Sequence, residues 1–531
     1  MAHSAAALAV NTDRIRRRMK KQMKLNYKRT ILVGFAFFLI SAFWQAYDAI
    51  VPLILTNHFG LDQLLSGIVM SIDNVLAVFM LPIFGALSDK VMTRFGKRTP
   101  FIVLGTIAAV VAFISLTLID AYQLSAVLDA GLAEEYQSAA ALLKEANKAL
   151  KEAGKANDAA AIAAAKENID YINKVVIAGI REETAQITLG NLWPIVGFIG
   201  VLLVTLVSMA TFRSPAVALM PDVTVKPLRS KGNAIINLMG TAGGIIVLVL
   251  GMVFNTSGNK YMQYTGYVVA VCGIMIAGLA IFLATVREKK WAAEMEEQTK
   301  ALGLEEAPVQ TNEGKRSLSK AEMKSLLLIL ASVALWYVGY NSITSKYSVY
   351  ATNILFFDFN STLIIAQAAA VIAYIPVGIV ASKIGRRKTI LAGIIMLATA
   401  FFIANFITFS TPELAMYPVF ILAGIGWATI NVNSFPMVVE LAKGGEVGKY
   451  TGYYYTASMA AQIVAPILSG AIYKLIGYMV GGDDIEGMRY SFFAFGTIFV
   501  VASFVTMFFV KHGDAKAEKQ NALEALGGAD D

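Results

Sequence analysis

Apolar stretches of roughly 20 residues recur twelve times along the chain, each long enough to cross a bilayer core as a helix. They lie near 30–56, 64–88, 100–120, 189–219, 232–255, 263–286, 324–352, 361–382, 389–408, 415–440, 450–477 and 490–511. In lipid every backbone polar group must be bonded within its own segment, so such a chain is expected to fold as a helical membrane bundle. Of its 531 residues, 57% are hydrophobic and only 15% charged. A soluble chain of this length would divide into several cores with far more surface charge. The formal charge of +8 does not point to nucleic acid, because the cations sit in short turns between apolar stretches. There they act as topology signals facing an acidic membrane surface. The single cysteine, Cys272, lies inside an apolar run, which excludes an intrachain disulfide and a cysteine metal site.

Loop charge orients the spans. Residues 14–29 carry nine Lys or Arg ahead of the first stretch, which predicts a cytoplasmic N-terminus. The first stretch is too long for a secretory signal and lacks its small-residue cleavage site, so it reads as a retained helix. Loops 89–99 and 383–388 each carry four cations, whereas 57–63 and 356–360 carry no Lys or Arg and one Asp each. Both termini are therefore expected in the cytoplasm, with twelve helices in two pseudo-symmetric six-helix bundles. The expected division is a basic N-terminus (1–29), a first bundle (30–286), a cytoplasmic linker (287–323), a second bundle (324–511) and a tail (512–531). Within the first bundle, residues 121–188 are rich in Ala, Lys and Glu, with ten acids and seven bases. They read as an extracellular helical hairpin, a solvated insertion rather than a lid or docking site. The linker contains REKKWAAEMEEQTKAL, a candidate amphipathic helix.

The halves share a signature. GALSDKVMTRFGKRTPF begins at Gly85 and GIVASKIGRRKTI at Gly378, pairing Asp89 with Ser382, Lys90 with Lys383 and Gly96 with Gly385. Asp222 ends the fourth stretch and Glu440 the tenth, each followed ten to twelve residues later by a glycine, Gly232 or Gly452. These acids and the basic turns form a candidate cytoplasmic gate: Asp89, Arg94, Gly96, Arg98 and Asp222 in one half, Lys383, Arg386 and Glu440 in the other. Partly desolvated ion pairs of this kind are worth about a few kcal/mol, enough to bias two states without locking one. The depth of Arg213 within the fourth stretch assigns it to the same gate, with an anionic substrate as the alternative.

The GALSD…RFGKR–PF turn resembles the signature of the major facilitator superfamily, with the longer spacing of the sugar/cation symporters. FRSPAVALMPD (212–222) and GIGWATINVNSFP (424–436) resemble fourth- and tenth-helix patterns of the sucrose/proton symporter and solute carrier family 45 branch. The resemblance spans nearly all twelve stretches but not 121–188. It implies a multi-pass cell-membrane transporter, working as a monomer on a sugar.

Two carboxylates lie within apolar stretches, where a charge is costly and functional by default. Asp48 is eight residues before the outer end of the first stretch and Asp73 nine after the outer end of the second. At 1.5 Å per residue these depths are about 12 and 13 Å, so one cavity can hold both as proton carriers. His3, His58 and His512 fall outside the stretches or at their ends and are set aside. Candidate sugar ligands are Trp44, Gln45, Asn74, Tyr337, Tyr340, Asn341, Gln367, Tyr374, Trp427 and Asn431, amides for hydroxyls and flat rings for pyranose faces. Neither an enzymatic constellation, a cofactor motif nor a metal-ligand cluster is found. The expectation is a proton-coupled symporter of a glucoside or oligosaccharide. A proton-driven exporter of amphipathic compounds, a sodium-coupled sugar symporter and a docking receptor stand as alternatives.

Overall fold

Six helices in this chain start at short polar residues, Asn26, Asp62, Asp158, Ser319, Asp358 and Asp483, whose side chains accept otherwise unbonded backbone N–H groups. The computed structural model describes residues 25–225, 228–301, 319–439, 441 and 447–511. Glu440, the basic run before Leu25 and the tail from His512 lie outside the described residues.

The first half comprises α1 (Tyr27–Leu53), continued by a π-helical turn Ile54–His58, α2 (Gln63–Lys90) and α3 (Thr99–Asp129). The insertion follows as α4 (Leu132–Ala156), α5 (Ala159–Tyr171), a π-helical turn Ile172–Ile177 and α6 (Ala178–Gly190). Then come α7 (Trp193–Asp222), α8 (Arg229–Val253), α9 (Thr265–Thr285) and the linker helix α10 (Glu288–Ala301). The second half comprises α11 (Lys320–Thr344), a short α12 (Tyr347–Tyr350), α13 (Phe359–Ile384), α14 (Arg386–Ala404), α15 (Met416–Val439), α16 (Val447–Met479) and α17 (Asp484–Phe508). Among the described residues, eleven helices are long and apolar enough to cross a membrane. The 26-residue α13 adds an apolar stretch over Phe359–Tyr374.

Packing is densest within each half: α1 with α8 and α3 with α7 in the first, α14 with α15 and α13 with α15 in the second. Three helix pairs join the halves most extensively, α2 with α16, α8 with α13 and α1 with α12. Small residues permit the α2–α16 crossing: a Cβ on Gly67 would lie 2.2 Å from the Pro466 carbonyl oxygen, and one on Gly470 2.2 Å from that of Gln63.

Boundaries depart from expectation in two places. The third stretch does not end at residue 120, because α3 runs on to Asp129 and carries the insertion rigidly out of the bundle. The seventh, expected to run unbroken over 324–352, stops at Thr344. There the fully buried Lys346 turns towards the other half and donates to the Gln63 carbonyl.

The bonds between halves gather at the end that carries the insertion. Lys474 pairs with Asp62 at 2.7 Å, and Asn353 donates to Asn57 at 2.9 Å. Ser257 donates to Asp358 at 2.7 Å, and Asn360 donates to Thr256 at 3.0 Å. Asp62 and Asp358, the lone acids of loops 57–63 and 356–360, also cap α2 and α13 through Leu65 N at 2.7 Å and Asn360 N at 3.1 Å. One carboxylate thus starts a helix and ties it to the opposite half.

Candidate functional site

A cavity of about 650 Å³ lies between the halves. Trp44, Gln45 and Asp48 of α1 reach it because residues three and four apart share a helix face, and Tyr340 and Asn341 of α11 reach it on the face they share with Thr344, four and three residues on. Gln367 and Tyr374 line it from α13 and Trp427 from α15. A side chamber of about 180 Å³ adjoins it, sharing Trp44, Asp48, Arg213 and Asn341 and adding Asp73, Asn74 and Gln462. Both candidate proton carriers therefore border one continuous space.

Arg213 is not at the gate where its sequence depth placed it. It lines both chambers, with its guanidinium carbon 5.7 Å from the Trp44 ring centroid. The reason is that α7 extends to Asp222, so Arg213 sits more than two turns inside the helix end. It interacts electrostatically with both Asp73 and Asp48. Asp73 in turn accepts a hydrogen bond from the Asn74 amide at 2.7 Å.

The sugar candidates divide. Gln367 donates to Gln45 at 2.6 Å, so one amide from each half meets across the cavity. The Tyr340 and Trp427 rings stack at 3.6 Å between centroids with 6° between planes. Tyr337 stands behind this pair, edge-on to Trp427 at 5.4 Å, and Asn431 is not on the cavity wall either. Ser41, Asn237 and Thr241 line the cavity without having been singled out as ligands. Asn237 carries no distinguishing sequence signal, since small and amide residues serve helix packing and ligand binding at the same spacing.

At the opposite end, Arg98 donates through Nε to Asp222 at 2.7 Å and through Nη2 to Asp89 at 2.5 Å. Burial disfavours its charge, but the bonds to Asp222 and Asp89 outweigh this and raise its pKa. Arg94 lies over Phe95 at 4.7 Å instead of joining this cluster. Lys383 is in the last turn of α13, and Arg386 opens α14, largely buried. Gly96 adopts φ +126°, and a Cβ there would lie 2.2 Å from the Glu288 carboxyl carbon.

Glu288 was missed. Its carboxylate accepts from the backbone N–H of Lys97, Arg98 and Thr99 at 2.5, 2.9 and 2.8 Å, and from the Thr99 hydroxyl at 2.7 Å. Its only sequence signal is an acid directly after the sixth stretch. His58 was also set aside, yet it is fully buried with Nδ1 2.6 Å from Asp120 Oδ1, away from the cavity.

Among the described residues, no group of three or more His, Cys, Asp or Glu is placed to hold a metal ion. The two chambers bring three ionisable groups, amides and rings to one wall. Its fold is shared with solved transporters. The inward-open xylose transporter XylE from E. coli aligns over 93% of this chain and 98% of its own, with 14% identity and a TM-score of 0.56. An inward-facing bacterial homologue of the human lysosomal transporter Spinster aligns over 94% and 100%, with 12% identity and a TM-score of 0.57. In sequence, the MFS-type transporter ppzB of Metarhizium rileyi (strain RCEF 4871) is 30% identical over 108 residues, a match spanning 20% of this chain and 21% of that relative. Residues 10–135 and 347–528, more than half of the chain, match the profile of the Major Facilitator Superfamily. With that match, and with eleven helices of spanning length among the described residues, the chain belongs to the Major Facilitator Superfamily of membrane transporters.

Proposed function

We propose that this transporter is a proton-coupled sugar symporter working by alternating access, with twelve spans in two bundles and both termini in the cytoplasm. The observation that carries the reading is the meeting of Asp48, Asp73 and Arg213 with paired amides and stacked rings around one cavity. Two carboxylates and one guanidinium leave one negative charge, which a single proton cancels, so protonation prepares the chamber for a neutral polyol. Gln45 and Gln367 bond each other across the cavity and exchange that bond for sugar hydroxyls. The basic turns face the cytoplasm, which makes the fastened end the outer gate and the present state inward-open. Support comes from the cavity wall, which follows α7 as far as Val217, 47% exposed. Opening the outer gate requires the Lys474–Asp62 and Ser257–Asp358 bonds to part. Substrate and proton shift that equilibrium only by their differential affinity for the two states.

The test is uptake of radiolabelled sucrose and maltose into proteoliposomes with and without an inward proton gradient. Accumulation that a protonophore abolishes, and that Asp48→Asn or Asp73→Asn eliminates while exchange persists, is the expected result. Accumulation in both variants overturns the coupling role. Dependence on a sodium gradient instead of a proton gradient transfers the coupling to sodium. A second reading, proton-driven export of amphipathic compounds, draws on the apolar part of the wall, with Phe37, Phe420 and Phe493. Gradient-driven efflux of a lipophilic cation, with no sugar uptake, selects it.

A further inference from the structure

The insertion α4–α6 is not a free appendage, because it is fixed to the first half and also reaches the second. Its inner face forms a core with the N-terminal bundle through Leu124, Val127, Tyr136, Ile180 and Tyr261. Polar bonds lock the same junction: Gln123 donates to the His58 carbonyl at 3.1 Å, and Thr188 donates to that of Phe59 at 2.9 Å. Gly60, at φ +65°, lies so close to α6 that a Cβ would stand 2.5 Å from the Ala185 nitrogen. The insertion therefore moves with the first half.

Its contact with the second half is of another kind. Arg181 of α6 donates to the carboxylate of Asp483, the residue that caps α17 through Glu486 N at 3.0 Å. Beside it, a Cβ on Gly482 would lie 3.5 Å from Lys174 of the insertion. This contact is polar, small and buried on the arginine side, whose side chain is 11% exposed. The charged and titratable groups acting on Arg181 are Asp483, Asp484, Glu486, Tyr136, Tyr261 and Lys260. A broad apolar seam on one side and, among the described residues, one ion pair on the other make a hinge and a latch.

We propose that the 121–188 insertion is a strap that holds the mouth at its own end shut, with the Arg181–Asp483 pair as its catch. When that mouth opens, the α16–α17 loop leaves the first half while the strap stays. The pair must then break and leave Arg181 facing Asp483 across water, where the interaction is far weaker. The strap thus weights the equilibrium towards the state in which the opposite mouth is open. The inference rests on alternating access and on no particular substrate.

The experiment is distance measurement between spin labels at Asn191→Cys and Tyr478→Cys, both exposed, in the full chain in lipid nanodiscs without substrate. The buried Cys272 is replaced by Ser. Arg181→Gln and Asp483→Asn, the latter keeping a helix-capping side chain, are each expected to raise the long-distance population at least fivefold. The exchanged pair, Arg181→Asp with Asp483→Arg, is expected to return it towards the starting value. Unchanged distance distributions in both single variants overturn the strap. So does a shift that the exchanged pair leaves in place, which marks a local packing effect. Because no sugar is present, this outcome is independent of whether sugar uptake is ever found.

Discussion

Glu288 caps the helix that begins at Thr99: the backbone N–H and the hydroxyl of Thr99 donate to its Oε2 at 2.8 and 2.7 Å. The cap comes from 189 residues further along the chain, after the sixth apolar stretch. It joins the linker to the basic turn that holds Arg98 against Asp89 and Asp222.

Glu288→Ala leaves the N–H groups of Lys97, Arg98 and Thr99 without their acceptor. Lost caps and buried unpaired donors cost about 1–3 kcal/mol. The thermal midpoint should fall, and trypsin should cut after Lys97 and Arg98 faster than in the parent. Glu288→Gln, which keeps an acceptor oxygen, should lose less. Equal stability of the alanine variant and the parent would count against the cap.

Gly96→Ala meets two obstacles, a φ of +126° and a Glu288 carboxyl carbon 2.2 Å from the new Cβ. A strained left-handed-side backbone costs about 1–3 kcal/mol. Removing Glu288 relieves the second obstacle only. The double variant should therefore be less destabilised than the sum of the single variants. Strict additivity in chemical or thermal unfolding would show that the two residues do not meet.

Gly470→Val tests the helix crossing that joins the halves. Its Cβ would press on the Gln63 carbonyl oxygen at 2.2 Å across the α2–α16 interface, which parts in the proposed alternating-access cycle. The protein should remain folded, with its insertion-end mouth held open and turnover stopped. By contrast, Gly487→Ala drives a Cβ to 1.8 Å from the Tyr473 carbonyl oxygen, within one half that stays together. That variant should lose thermal stability instead. Thiol labelling of a cavity cysteine from each side of the membrane separates the two behaviours, and equal unfolding by both variants would refute the distinction.

Lys260 supplies a pH prediction. It is 4% exposed, its ammonium has no hydrogen-bond partner, and it sits 4.3 Å from the Tyr136 ring centroid. Burial, and then the nearby charge of Arg181, hold its pKa well below the ordinary value. In the unfolded chain it titrates near 10.4. Between the lowered value and about 10.4 the unfolded chain binds more protons, so this site's contribution to stability rises with pH. Below the lowered value both states are charged and the cost of burying the ammonium is felt in full. Lys260→Met should therefore raise the thermal midpoint at about pH 7, by less at about pH 9. Burial keeps the facing phenols of Tyr136 and Tyr261 above their ordinary range, Tyr261 at about 12, so neither is charged in this window. A gain independent of pH, or a loss at pH 7, would refute the assignment.

Much of the cavity was legible in one dimension. Trp44, Gln45 and Asp48 lie within five residues, and helical spacing alone places them on one face. Their convergence with Asp73 depended only on depth along two helices. Arg213 misled because its depth was counted from a helix end set three residues too early. Tyr337 and Asn431 misled because periodicity selects a face without saying whether that face meets the cavity or a neighbouring helix. Glu288 carried no periodic signal, since a cap supplied from a distant part of the chain is a purely spatial relation.

From the amino-acid sequence alone follow the membrane-bundle character, the apolar stretches and the duplicated basic turns. These rest on local composition, because hydropathy and helix geometry act over about 20 neighbouring residues. The dual role of Asp62 and Asp358 was decided only by the tertiary structure, as were the caps and the ties between halves. In the sequence both were merely lone acids in short loops; folded, each starts a helix and binds a partner from the other half. The insertion shows the same division. Its helices are plain in its Ala, Lys and Glu content, yet its hold on the second half rests on Arg181 and Asp483, 302 residues apart. Contacts over such separations depend on how finished helices pack, and no local pattern encodes that.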